Sequence, residues 1–288
     1  MREASSFDAV VFAGGGCRCF WQVGFYQAVA PALDLRPIQV AAVSAGSAMA
    51  CALYADRVDE VLAYFLDRVT ANEKNIYPGN LWGKAAVFPH EEIYRATILH
   101  AIDGAAMARL KQGPEIRVLM SRLPRWLGPR SGVAIGFLAY EVEKMLSPNV
   151  HPELARQFGF ESEVVPFGGC ETPGEIADVI LQSSCTPPFT PVYHRDGEPV
   201  LDGGLVDNVP VSALSGGFEN VLVLLTRCYP EEVLPNGADR TYVQPSEPVP
   251  VEKWDYASPD LVRATLELGR RDGEAFLEAR ARGRARAG

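Results

Sequence analysis

Residues 41–50 read AAVSAGSAMA. The apolar run IQVAAVS (38–44) has the length and composition of a buried strand. SAMACALYA (47–55) continues as a helix. Ser44 stands at the corner between them. A nucleophile elbow places small residues two before and two after its serine. Strand and helix then approach closely, and the strained turn lifts the hydroxyl out of the sheet. Ala42 and Gly46 fill those positions. The same pattern also serves ordinary tight connections, so position in the fold has to decide between a nucleophile and a small turn residue.

Upstream, FDAVVFA (7–13) reads as a buried strand bounded by GGG, and FWQVGFYQAVAPAL (20–33) as a helix. Downstream, RVDEVLAYFLDRVT (57–70) is a further helix. Strand–helix–strand–helix order predicts parallel strands with helices on both faces, an α/β fold. The later chain predicts a helix at EEIYRATILHAI (91–102) and a strand at EIRVLMSRL (115–123). A loop and helix fill 123–147, ESEVVPF (161–167) is a short strand, and PGEIADVILQSS (173–184) is a helix. A hairpin over 191–204 turns at Asp196-Gly197, and NVLVLLT (220–226) is a buried strand. Residues 230–257 read as a long loop. Ser258-Pro259 caps a final helix to about 281, and a basic tail runs to 288. The expectation is one domain over 1–288, with a motif-bearing core at about 7–226.

Apolar residues make up 48% of the 288 and charged ones 22%, an ordinary globular balance. A net charge of −9 argues against a nucleic-acid partner. Only the tail EARARGRARAG (278–288) is basic, and it reads as a solvated end. Cys17, Cys19, Cys51, Cys170, Cys185 and Cys228 form no C-x-x-C pair and read as a reduced set, hence a cytoplasmic protein, peripheral at membranes at most. No signal-peptide pattern and no run of about 18 apolar residues is present, so no transmembrane anchor is expected. No carboxylate or histidine cluster has calcium or zinc spacing, so neither a metal nor another cofactor is expected.

GGGCRC (14–19) also joins a strand to a helix. Three glycines let backbone amides converge, and a helix N-terminus favours an anion. A nucleotide phosphate and the oxyanion of an acyl transfer both fit in principle. Cys19 replaces the last glycine of G-x-G-x-x-G, and Gly-Lys-Ser/Thr is missing, which disfavours the nucleotide. LDGGLVDNVP (201–210) places Asp202 before two glycines, either as a turn or as a base for Ser44. The histidines are His90, His100, His151 and His194, and none follows Asp202. His194 lies in the hairpin at a solvent position. His90 and His100 read as surface or satisfied, partly buried helical residues. A Ser44–Asp202 dyad is the better candidate than a histidine triad.

Taken in order, glycine loop, serine elbow and Asp-Gly-Gly resemble the patatin-like phospholipase family. The resemblance spans most of residues 7–225. It rests on VVFAGGGCRCFWQVGFYQAV, VAAVSAGSAMACALYA, ILQSSCTPPFTPV and VLDGGLVDNVPV. It implies a three-layer α/β/α sandwich with a mostly parallel sheet, and a lipid acyl hydrolase. Ser44 would be the nucleophile and Asp202 the base, with Gly14, Gly15, Gly16 and Ala45 as oxyanion donors. Arg18, Gly46, Gly203 and Gly204 would support them. The family has glycine where this chain has Ala42 and Cys19; Ala42 would perturb the elbow and Cys19 crowd the loop. The rival readings are a short-chain esterase or thioesterase, and a lipid-binding protein without catalysis. Two aromatic stretches, 123–140 (with Trp126, Phe137 and Tyr140) and Trp82, Phe88 and Tyr94, read either as core or as the mouth of a lipid site.

Overall fold

A computed structural model describes residues 7–82, 85–124, 150, 154–235, 237 and 239–287. Its eight-stranded sheet comprises β1 (Ala9–Phe12), β2 (Gln39–Val43), β3 (Glu115–Arg122), β4 (Glu161–Pro166), β5 (Tyr193–Arg195), β6 (Glu198–Asp202), β7 (Val221–Leu224) and β8 (Arg240–Val243). Strands β3, β2, β1, β7 and β8 run parallel in that order. Strands β4 and β6 pair antiparallel with β3, and β5 closes a hairpin on β6. At the hairpin turn Asp196 and Gly197 both have positive φ, 54° and 79°. That is the conformation the Asp-Gly pair supplies most readily.

The register on β3 fixes the site. β4 pairs with Arg117–Arg122. β2 pairs with Glu115–Leu119, and β6 with Met120–Arg122. A strand has two edges, and β4 overlaps both partners along the chain. β2 and β6 therefore share the opposite edge of β3, one after the other. They run toward each other and meet where Val43 (facing Leu119) gives way to Asp202 (facing Met120).

Alternating side chains divide the core in two. Val10, Phe12, Val40, Ala42, Ile116 and Val118 face one cluster. That cluster takes residues from α1 (Phe20–Ala32), α2 (Ala45–Tyr54), α4 (His90–Ala101), α5 (Gly104–Gln112), α7 (Pro173–Ser183) and α8 (Pro259–Ala287). Ala9, Val11, Ala41 and Val43 face the other, with Ala155 of the short α6 (Leu154–Gln157) and the turns after Asp202. The sheet is thus flanked by helices. Among the described residues the long ones gather on one face, with α3 (Val58–Ala71) outside them against α2 and α4.

Three expectations change. The stretch 230–257 contains β8, a four-residue edge strand too short to announce itself by periodicity. The last helix continues to Ala287 rather than 281. The segment expected at 123–147 lies outside the described residues from 125 on. No described helix is long and apolar enough to cross a membrane.

α1 is buried almost all round because α8 lies along its outer side. A Cβ on Gly269 would sit 2.1 Å from Trp21 O, and one on Gly24 would sit 2.0 Å from Leu266 O. Helix propensity favours alanine over glycine by about 1 kcal/mol. A collision with rigid backbone outweighs that, typically by 1–3 kcal/mol of overpacking. Gly269→Ala is expected to lower unfolding stability by roughly 1–2 kcal/mol in a urea titration; a variant as stable as the parent would mean that the two helices part freely.

Candidate active site

Ser44 has φ 53° and ψ −136°, a left-handed backbone that a serine adopts only under constraint. The constraint comes from both sides. Its N–H donates to Ser183 Oγ at 2.8 Å, and that hydroxyl donates to Leu119 O at 2.6 Å. Ser47 Oγ donates to Ser44 O at 2.5 Å. Helix α2 then passes so close to β1 that a Cβ on Gly46 would lie 2.6 Å from Ala13 O. Ala42 does not disturb this turn, because its methyl points into the main core beside β1.

Asp202 arrives from the opposite strand end. Ser44 Oγ donates to Asp202 Oδ2 at 2.6 Å. Gly204 N–H donates to Oδ1 at 2.7 Å, and Thr186 Oγ1 donates to Oδ2 at 3.2 Å. The carboxylate is thereby oriented with one oxygen turned to the serine. Gly203 makes the approach possible: a Cβ there would fall 2.2 Å from Leu119 O. A Cβ on Gly204 would meet Asn208 Oδ1 at 2.8 Å.

The glycine loop is tied down behind the serine. Gln22 Nε2 donates to Ala13 O, and Asn208 Nδ2 and Thr226 Oγ1 donate to Gly14 O. Here the structure alters the expected donor set. Gly14 N–H is already given to Asn208 O at 3.0 Å, and Gly15 packs against Thr226, away from the serine pocket. Gly16 and Ala45 are the residues of that set that line the pocket with Ser44. Arg18 Nε donates to Gly15 O at 3.3 Å. In a planar trans peptide the next N–H points the opposite way. Holding that carbonyl therefore fixes the direction of the Gly16 amide. Cys19 does not crowd the loop: its thiol donates to Ala13 O, and burial raises its pKa to about 12, so it stays protonated.

Two cavities lie beside the serine turn, and Ser44 itself lines one of them. One is walled by Gly16, Ser44, Ala45, His90, Tyr94, Ser184, Thr190, Trp254 and Tyr256. The other, larger one begins at the same Gly16 and Ala45. It runs along Ala48 and Ala52 of α2, between α3 and α4, to Ala101 and Ile102. Its lining is almost wholly apolar. Of the aromatic stretch expected at a mouth, Tyr94 lines both cavities, and Phe88 packs on Phe189 and His90. Trp82 stands 89% exposed, away from the core.

Sequence reasoning missed His90, Trp254 and Tyr256. His90 is 2% exposed and is boxed by Phe88, Phe189, Trp254 and Tyr256. Its Nε2 lies 2.9 Å from Trp254 O. A carbonyl only accepts, so Nε2 carries the proton and Nδ1 is a bare acceptor. Nδ1 has no partner. An unpaired buried acceptor costs about 1–3 kcal/mol. Desolvation pushes the imidazole pKa below its ordinary value, which keeps the ring neutral at pH 7. Trp254 and Tyr256 come from the stretch read as plain loop. The signal was there in KWDYASPD, where two aromatics stand in an otherwise polar segment.

The sequence profile described as Patatin-like phospholipase matches residues 10–215. The chain belongs to the patatin-like phospholipase family. Both Ser44 and Asp202 fall inside the matched span. Membership supports lipid acyl hydrolysis as the general activity. Among solved structures, VipD from Legionella pneumophila aligns over 95% of this chain and 67% of its own, at 13% identity and a TM-score of 0.48. The chain has no match among curated proteins.

Proposed function

We propose that this patatin-like chain is a serine hydrolase that cleaves acyl esters of lipids, of phospholipase A or lysophospholipase type. The observation that carries the reading is the 2.6 Å hydrogen bond from Ser44 Oγ to Asp202 Oδ2 inside a largely enclosed pocket. Ser44 Oγ attacks the ester carbonyl as Asp202 takes its proton. The carbonyl oxygen becomes an oxyanion facing the amides of Gly16 and Ala45, with the N-terminus of α2 behind it. The proton then passes from Asp202 to the departing alkoxide, and the alcohol leaves. Water, deprotonated by the same carboxylate, attacks the acyl–Ser44 ester and releases the fatty acid. The neighbouring hydroxyls and the Gly204 amide keep Asp202 aimed throughout. No residue of this scheme calls for a metal.

The test is labelling by a fluorophosphonate, which reacts with activated serines. The parent chain is expected to label and Ser44→Ala to show none. A folded parent that does not label would bring forward a lipid-binding protein without catalysis.

The apolar cavity gives the acyl chain its place, because it starts at the two amides that receive the carbonyl oxygen. From Ala45 to Ala52 the helix rises about 10 Å. Ala52→Phe should fill the far half. We expect kcat/KM for a long-chain ester to fall at least tenfold, on the order of the 1–3 kcal/mol that a pocket mismatch carries. Short-chain turnover should stay within about twofold. Equal losses on both chains would place the acyl group elsewhere. A parent that prefers short chains irrespective of head group would favour the esterase or thioesterase reading.

A further inference from the structure

Among the described residues the two most exposed large apolar side chains are neighbours, Trp82 at 89% and Leu81 at 65%. Ile76, shortly before them, is exposed as well. All three belong to the loop between α3 and α4, where Pro78–Trp82 form a single 3₁₀ turn with no buried residue. The loop is braced. Tyr77 N–H donates to Val87 O at 2.8 Å, and Asn80 Nδ2 donates to Ala86 O at 2.8 Å, so bonds cross it from arm to arm. Tyr77 Oη donates to Asn72 Oδ1 at 2.9 Å.

Both arms stand on the walls of the serine pocket. On the first, Asn72 Nδ2 donates to Tyr256 O at 2.7 Å, and Asn75 Oδ1 accepts from Tyr256 N at 2.7 Å. On the second, Phe88 packs edge-on against Phe189, 5.0 Å between centroids, and the chain then enters α4 at His90. Tyr256 and His90 line the pocket with Ser44. The apolar tip is therefore carried by the same segments that wall the pocket.

We propose that Leu81 and Trp82 dock this chain on a lipid surface with neutral head groups, such as a phosphatidylcholine membrane, and so bring the serine pocket to it. The choice of a lipid surface rests on the Ser44–Asp202 reading, which makes the substrate a lipid. Charge selects the kind of surface. Residues 75–90 contain no Asp or Glu, in a chain with 36 acidic residues. A carboxylate at the tip would resist leaving water. Glu73 and Glu92 flank the stretch and the chain carries −9 overall, so charge opposes attraction to an anionic membrane. Residue type agrees: an indole has an apolar body and one N–H, which suits the boundary between head groups and acyl chains. One scattered apolar side chain on a surface needs no explanation, but two adjoining ones on a braced turn do. A second copy of the chain is the competing occupant. A single exposed turn offers far less than the roughly 800 Å² per partner of a stable interface.

The experiment is flotation with phosphatidylcholine vesicles at about 0.1 M and about 0.5 M salt. It compares the full parent chain with Leu81→Ser/Trp82→Ala. The control is Ile38→Ser, exposed at the end of β2 opposite to Ser44. Fluorophosphonate labelling and hydrolysis of a monomeric short-chain ester run alongside. The parent and the control are expected to float at both salt concentrations. The double variant should bind at least tenfold more weakly, the loss expected from two apolar side chains left in water. Hydrolysis of phospholipid in vesicles should fall with it, while labelling and the monomeric ester stay within about twofold, as for other surface substitutions. A parent that labels but does not float overturns the proposal and leaves the nucleophile reading standing. A double variant that floats like the parent overturns it too, as does an equal fall on vesicle and monomeric substrates. Flotation only with anionic vesicles and only at low salt would assign binding to charge and overturn it. A dimeric parent made monomeric by the double variant would give the tip to a second copy instead. A parent that floats through Leu81 and Trp82 but does not label keeps the docking surface and removes the Ser44–Asp202 reading.

Discussion

Asp202→Asn is expected to lower kcat for ester hydrolysis by about 10³-fold while leaving the fold and KM nearly unchanged. The reasoning is one of geometry kept and chemistry removed. Asparagine fills the same volume, and its carbonyl oxygen can still accept the Gly204 N–H that holds Asp202 Oδ1 at 2.7 Å. Its amide nitrogen then faces Ser44 Oγ in place of Oδ2. A donor there cannot take the hydroxyl proton, so the serine remains a neutral alcohol. A positioned general base supplies on the order of 10²–10⁴-fold. The upper part of that range fits here, because no histidine contacts Ser44 Oγ among the described residues. Steady-state kinetics and circular dichroism together check the result. Residual activity above one tenth of the parent's, in a folded variant, would remove Asp202 from the role of base.

Gly16→Ala is expected to lower kcat by about 10²–10³-fold, the usual effect of losing one oxyanion donor. Gly16 has φ +59°, and a methyl there would lie 2.1 Å from Lys253 O. Two penalties coincide: a side chain in left-handed backbone and a collision with main chain. Relief requires either rotation of the Gly15–Gly16 peptide or retreat of the Lys253 segment. The first turns the Gly16 N–H away from the developing charge. The second carries off Trp254 and Tyr256, which wall the pocket, and breaks the Cys17 N–H bond to Lys253 O. Stopped-flow measurement of acylation separates these outcomes from a plain binding defect. If kcat is preserved and KM alone rises, Gly16 shapes the entrance and does not serve the oxyanion.

The parts legible in sequence were those where backbone geometry restricts the residue. A left-handed serine after a strand, a methyl-free Gly46 against β1 and a Gly203 pressed on Leu119 each admit few residue types, so they leave a local pattern. The Asp-Gly hairpin turn is likewise local. What escaped was proximity made by distant segments. His90 begins α4, Phe189 follows α7 and Trp254 precedes α8, and nothing near His90 in the chain signals the box around its ring. The assignment of Gly14 failed for the same reason. Three neighbouring glycines look equivalent until Asn208, 194 residues away, claims one of the amides.

The end-to-end meeting of β2 and β6 on one edge of β3 separates what can vary from what cannot. Serine and aspartate lie 158 residues apart along the chain, yet their spacing is one residue's step on a single buried strand. Lengthening a surface loop or reshaping a helix does not alter that step. The pocket walls, by contrast, hang on the glycine loop, α2, the start of α4, the Pro-rich turn after α7 and the segment before α8. A change in the walls can therefore reshape what the pocket holds without moving Ser44 and Asp202 relative to each other. The two hydrogen-bonded side chains stay fixed, like two marks on one rule.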